Sequence, residues 1–344
     1  MTTRSFDPRL FYRFSLFLIS VFFCVYSWFA PAPASAQEPA DQEVAVNLSE
    51  GRVVICAAKD AILLVAMDTR GEAGSLPPAI TILSAERIGV MMGAVEWVLP
   101  DSKDKPIRLN DEFKSIVGAA LNTSGRPDYA GAANDIESIG VAVLERLRLL
   151  AGSLHHKVNL AEDEPLLRVV LVDYLRDYGP EAWAIDYHIR QDALGNDIWR
   201  TRVLRPGYNQ IYPPEKGRPH TLMEVRYPPE NRATDAPELL DLLQQNDPRL
   251  AGIRASSAIV AKSVGFVTDG QSQKSEAAGV ATFLKAALPA VTPPETKLTM
   301  AMVDFDRGFQ WIIEPPQAPA QPPSNKEKTP EEPERPTLRH KSGS

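Results

Sequence analysis

Cysteine is nearly absent from this sequence: of 344 residues only Cys24 and Cys56 carry a thiol. Cys24 lies in an N-terminal segment expected to be removed, so a mature chain holding Cys56 alone has no intramolecular disulfide and must be held by its core. Histidine is scarce too. The five include one adjacent pair, His155-His156, but neighbouring residues point different ways and no third ligand stands at metal spacing, so no metal is expected. Gly-rich phosphate loops, paired Cys motifs and a Gly-x-Ser-x-Gly elbow are all missing, and nothing indicates a cofactor. A basic excess is also lacking. With 37 Lys and Arg against 44 Asp and Glu, the balance argues against nucleic acid or an anionic membrane as partner.

What the N-terminus does have is a targeting pattern. Arg4, Arg9 and Arg13 precede an uncharged, largely apolar run from Phe14 to Phe29, followed by Ala34-Ser35-Ala36 before Gln37. A positive flank, an apolar core and a small-residue exit make residues 1–36 a signal peptide, with cleavage expected before Gln37. The alternative is an uncleaved anchor, the one circumstance in which a membrane is a partner; the run falls short of the roughly 20 apolar residues of a spanning helix. Phe22 and Phe23 precede Cys24 where a lipoprotein signal would place small residues, and no twin arginine is present, so the general export route is expected. The chain is therefore expected to be exported, periplasmic or secreted. Cleavage would remove Arg4, Arg9, Arg13 and Asp7, leaving 34 basic and 43 acidic residues and a net charge near −9.

Residues 314–344 are rich in Pro, Lys and Glu with almost nothing apolar to bury, so a disordered tail is expected. Its proline spacing offers a protein ligand a polyproline stretch, although a solvated spacer is the simpler role. Residues 37–46 read as a shorter linker.

Between these ends, Arg52 to Ala58 and Ala61 to Met67 form two apolar runs joined at Lys59-Asp60, a hairpin pattern; Ala79 to Ser84 and Arg87 to Val95 make a second. Ile136, Ile139, Val143, Leu147 and Leu150 recur at spacings of three and four, predicting a helix over 128–150 that stops at Gly152. Strands are expected at 166–175, 182–189 and 198–204, helices at 237–245, 249–264 and 275–288, and a closing strand pair at 297–305 and 309–313. Residues 100–127 read as an insertion and 205–219 as a Pro-rich loop. Strands grouped apart from helices imply the α+β class with antiparallel sheets.

Several stretches resemble the proteasome-type N-terminal nucleophile (Ntn) hydrolases. They are Val53-Val54-Ile55-Cys56-Ala57-Ala58-Lys59-Asp60 running into Leu64-Val65-Ala66-Met67-Asp68-Thr69-Arg70, then Ile88-Gly89-Val90-Met91-Met92-Gly93. Tyr178-Gly179-Pro180 with Ala184-Ile185-Asp186, and Asp306-Arg307-Gly308-Phe309, complete the set. The resemblance implies an Ntn-like domain over 47–313, a four-layer αββα sandwich of two antiparallel sheets, and leaves room for a homo-oligomer.

The family's reaction needs a Thr, Ser or Cys whose own freed amine acts as the base. Here that position falls on Gly51 or Arg52, neither of which attacks a carbonyl. Ala79 stands where the family places its lysine, while the first-hairpin acid matches Asp68. The expectation is a degenerate nucleophile site, a pseudoenzyme that binds or assembles. The alternative is an active amidohydrolase or peptidase using Ser49, freed by a cut after Leu48, with Asp68 beside it. A third reading is an unrelated exported solute-binding module. Cys56 lies in an apolar strand as an inert thiol, Glu162, Asp163 and Glu164 as a surface acidic run, and Asp186 with His188 as a strand-surface pair sharing one face.

Overall fold

A computed structural model of the chain describes residues 44–58, 60–68, 76–99, 105–124, 131–161, 163–175, 179–195, 197–214, 222–229, 247–256 and 277–316. The segment read as a signal peptide, the helix expected at 237–245, the second half of that at 249–264 and nearly all of the Pro-rich tail lie outside these residues.

The first sheet has seven strands. Its main path runs β1 (Ala45–Ser49), β5 (Arg87–Val98), β7 (Leu167–Leu175), β8 (Gly179–Tyr187) and β11 (Gly207–Tyr212), with β4 (Ala79–Ile82) and β6 (Ile107–Arg108) also pairing β5. The second has five, in the order β12 (Leu222–Tyr227), β2 (Gly51–Ala57), β3 (Ala61–Met67), β13 (Leu298–Asp304) and β14 (Gly308–Ile313). A separate hairpin pairs β9 (Ile189–Gly195) with β10 (Ile198–Val203). Every strand pairing is antiparallel apart from one isolated parallel bridge between Ser49 and Leu76.

Strand alternation decides the layering. In β2, Val53 and Ile55 point to one face and Val54 and Cys56 to the other, because successive side chains on a strand project oppositely. Val53 and Ile55, with Ile62 and Leu64 of β3, meet Ile88, Val90, Val170 and Val172 of the first sheet in one core. Val54, Cys56, Leu63 and Val65 form a second core with Val280, Phe283, Leu284 and Leu288 of helix α4 (Ala277–Val291). That spacing of three and four is the apolar stripe of a surface helix. On the far side of the first sheet, Met91, Val169, Leu171 and Ile185 pack against α1 (Leu109–Ser124) and α2 (Gly131–Ala151) through Phe113, Val117, Ile139, Val143 and Leu147. The layers therefore run helix pair, sheet, sheet, helix. With both faces covered, β3 reads Ala-Ile-Leu-Leu-Val-Ala-Met and is buried at every residue.

Some elements depart from the sequence reading. Residues 100–127 contain α1: Leu109, Phe113, Val117 and Ala120 recur at four, four and three and are buried. The stretch read as a loop at 205–219 contributes β11, and β12 follows it. The strand expected across 182–189 ends at Tyr187, and the chain leaves at His188 for the separate hairpin, so Asp186 and His188 do not share one strand face. β1 begins at Ala45, within the expected linker, because Val44 is buried in the first sheet's helix-side core. A short 3-10 turn, Pro248–Leu250, capped by Asp247, leads into α3 (Ala251–Ser256).

Candidate functional site at the crossing between the sheets

The chain passes from one sheet to the other over three residues. Ser49 ends β1 opposite Gly93 in the first sheet, Glu50 crosses, and Gly51 opens β2 opposite Tyr227 in the second. The crossing is stitched on its other side as well: Leu76 N–H donates to the Leu48 carbonyl (3.0 Å) and Glu50 N–H to the Leu76 carbonyl (3.2 Å). The residue at the start of β2 thus directly follows a strand that is paired in the other sheet.

Gly51 is also enclosed. A Cβ built on it would lie 2.2 Å from the Met67 carbonyl oxygen and 2.5 Å from Pro78 Cγ, distances that no side chain tolerates. Neighbouring Gly93 is similarly pressed, with a positive φ of 97° and its Cβ position 2.5 Å from the Leu166 carbonyl oxygen and 3.0 Å from the Tyr227 ring. Only glycine combines that backbone with that approach.

The structure places the remaining candidates around this crossing. Arg52 makes an ion pair at 3.5 Å with Glu224 of β12. Asp68 follows Met67, the partner of Arg52 across the hairpin, is largely buried, and its N–H donates to the Lys297 carbonyl at 3.0 Å. Ala79 is exposed on β4 and supplies no cation. Thr69 and Arg70 lie outside the described residues. Ser49 is wholly buried and its Oγ has no hydrogen-bond partner among the described residues. A hydroxyl that makes no bond contributes nothing to offset its desolvation. Ser49→Ala is accordingly expected to leave stability unchanged or raise it by up to about 1 kcal/mol, as measured by urea unfolding.

Beside the crossing lies a cleft of about 430 Å³ where the edges of both sheets meet. Asn209, Gln210 and Ile211 of β11 line one side, Glu224, Val225 and Arg226 of β12 the other, with Arg168, Ala184 and Asp186 between. Arg168 grips Asp186 through two bonds of 2.6 and 2.7 Å and donates a third, at 2.8 Å, to the Arg226 carbonyl, tying the sheets together. Arg226 in turn bonds both oxygens of Glu224, at 2.8 and 3.2 Å. The walls therefore present two fixed, two-pronged ion pairs, the polar amides of Asn209 and Gln210, and the aliphatic side chains of Ile211 and Val225. Such a surface orients a polar ligand but offers no activated nucleophile.

Other expected residues fall elsewhere. Burial pushes the Cys56 thiol up to about 12, which keeps it protonated and inert. Asp186 is committed to Arg168 and not to His188. His155 and His156 sit just after α2, where their carbonyls accept from Trp199 N–H and Gln191 Nε2 and hold the β9–β10 hairpin. Among the described residues no group of three His, Cys, Asp or Glu is arranged to hold a metal, and no helix is long and apolar enough to cross a membrane.

A second charged cluster went unseen in the sequence. Arg87 of β5, Asp173 of β7 and Glu181 of β8 stand opposite one another across three adjacent strands, beneath Asp135 of α2. Arg87 bonds Asp173 at 2.6 to 2.8 Å and lies 3.7 Å from Asp135, all of them buried. The register was readable in principle, since Leu167 to Leu175 and Gly179 to Tyr187 pair symmetrically about residue 177, matching Arg168 with Asp186 and Asp173 with Glu181. No protein-family model matches the chain, and no curated protein does.

Proposed function

We propose that this is an exported, proteasome-like Ntn domain that has lost its nucleophile and works by binding. The single observation behind it is Gly51. Of the two positions where the resemblance would put the attacking residue, Gly51 has no side chain and no space for one, and Arg52 carries a guanidinium paired with Glu224. Two further features support the assignment: helices flank a pair of face-to-face antiparallel sheets, and the hairpins that carry the resemblance stand in both of them. The binding surface is the cleft between β11 and β12. Its volume lies within the range of about 300 to 1,000 Å³ usual for ligand sites, and its fixed ion pairs suit a polar ligand.

The rival is hydrolysis by Ser49, favoured by one observation, its buried Oγ, unpartnered among the described residues. That route requires a cut between Leu48 and Ser49, within a strand whose residues are paired to β5. N-terminal sequencing of the mature protein, followed by incubation with an electrophilic peptide β-lactone and mass spectrometry, separates the two. A chain starting at Gln37 that gains no mass is expected; a start at Ser49, or an adduct on it, would sink the binding-only reading.

A further inference from the structure

The Arg87 cluster holds more acid than base. Among the described residues, Arg87 and Asp173 are the charged groups acting on Asp135, and the same two act on Glu181. Three carboxyls thus surround one guanidinium, and Arg87 answers them unequally: Asp173 takes both of its close contacts, Asp135 a contact at 3.7 Å, and Glu181 no ion pair. Glu181 Oε1 accepts from Trp183 Nε1 at 2.7 Å. Its Oε2 and Asp135 Oδ1 are both buried without a partner among the described residues. An ionised oxygen in that position is strongly disfavoured, whereas a protonated one carries no charge and becomes a donor.

We infer that the cluster is a proton-operated latch: protons held on Asp135 and on Glu181 leave the joint between the start of α2 and the first sheet free of unpaired negative charge, and their departure to solvent loosens that attachment. Burial raises both carboxyls above the ordinary carboxylate range, with the nearby Asp173 adding to the effect and Arg87 opposing it. Asp135 is the only described member of the cluster on the helix, so its ionisation acts at the helix–sheet joint. Two residues on, the Glu137 carbonyl accepts from Tyr208 Oη of β11 at 3.3 Å, and the Tyr208 ring fills the space beside Gly140. β11 lines the cleft. The latch therefore reaches the proposed binding edge through Tyr208; that last link rests on the binding reading above, while the titration itself does not.

Carbon-13 NMR titration of the side-chain carboxyls, with amide exchange corrected for its intrinsic pH dependence, tests this on the wild-type protein. The expected result is that Asp135 and Glu181 titrate above their ordinary range, and that protection over 135–141 falls several-fold as pH rises through those midpoints. In D135N/E181Q the protection should stay high and independent of pH, because both amides remain neutral. Ordinary midpoints for both carboxyls, or pH-independent protection of α2 in the wild type, would overturn the latch. If titration and protection behave as expected while protection over 207–210 does not follow them, the latch stands and its link to the cleft is lost.

Discussion

Replacing Gly51, one of the two positions where the proposed resemblance would set a nucleophile, by threonine is expected to lower unfolding free energy by roughly 3 kcal/mol or more, and to yield no amide hydrolysis. The reason is local. The first atom any side chain adds would sit 2.2 Å from the Met67 carbonyl oxygen and 2.5 Å from Pro78 Cγ. Met67 pairs with Arg52, so its carbonyl cannot withdraw without disturbing the β2–β3 ladder. Because the offending atom is Cβ, Gly51→Ala should be nearly as damaging as Gly51→Thr, which separates a steric loss from one that depends on the hydroxyl. Urea denaturation of both variants reads this directly, against a total stability on the order of 5 to 15 kcal/mol for an ordinary domain. Gly51→Thr folding with wild-type stability would mean that the crossing has room, and the argument from a closed site would fall.

That closure shows what the sequence could and could not reveal. That Gly51 and Arg52 carry neither a hydroxyl nor a thiol was visible. The enclosure of Gly51 was not, because the walls come from Met67 and from Pro78, which only folding brings to it. The central hairpin was legible for the opposite reason: β2 and β3 are buried on both faces, so their apolar runs are continuous and their register follows from a short turn. β11 and β12 were hidden by Pro213, Pro214, Pro219, Pro228 and Pro229, which punctuate the sequence around two six-residue strands and read as loop. α1 was hidden by sparseness. Its buried stripe is Leu109, Phe113, Val117 and Ala120 on an otherwise polar segment, and its partner face on the first sheet had to be known before that stripe meant anything. Arg168 and Asp186 looked like isolated strand residues until the pairing about residue 177 set them side by side.

Arg87 is the other position where a single change should be severe. Arg87→Met keeps much of the side chain's length and apolar stem but leaves Asp173, Asp135 and Glu181 without their cation, and breaking a buried pair from one side costs about 3 to 5 kcal/mol. Burial disfavours the charged guanidinium of Arg87, but its two hydrogen bonds and ion pair to Asp173 outweigh that and hold it charged. The loss should itself depend on pH, and the sign can be worked out. Carboxyls raised in the folded state resist ionisation there but ionise normally when unfolded, so the folded state loses ground as pH climbs from the ordinary carboxylate range through the raised values. Without Arg87 only the Trp183 bond to Glu181 opposes that trend, and Arg87→Met should be least destabilised in mild acid and most at neutral pH, measured as the difference in melting temperature from wild type across that interval. Glu96 pulls the other way: its bonds from Asn47 and Arg108 hold it below the ordinary range, so its contribution is present above that range and lost on acidification. Wild type and variant share Glu96, however, and its effect cancels in the difference. A deficit for Arg87→Met that stayed constant with pH would show that Asp135 and Glu181 do not ionise above the ordinary carboxylate range in the fold.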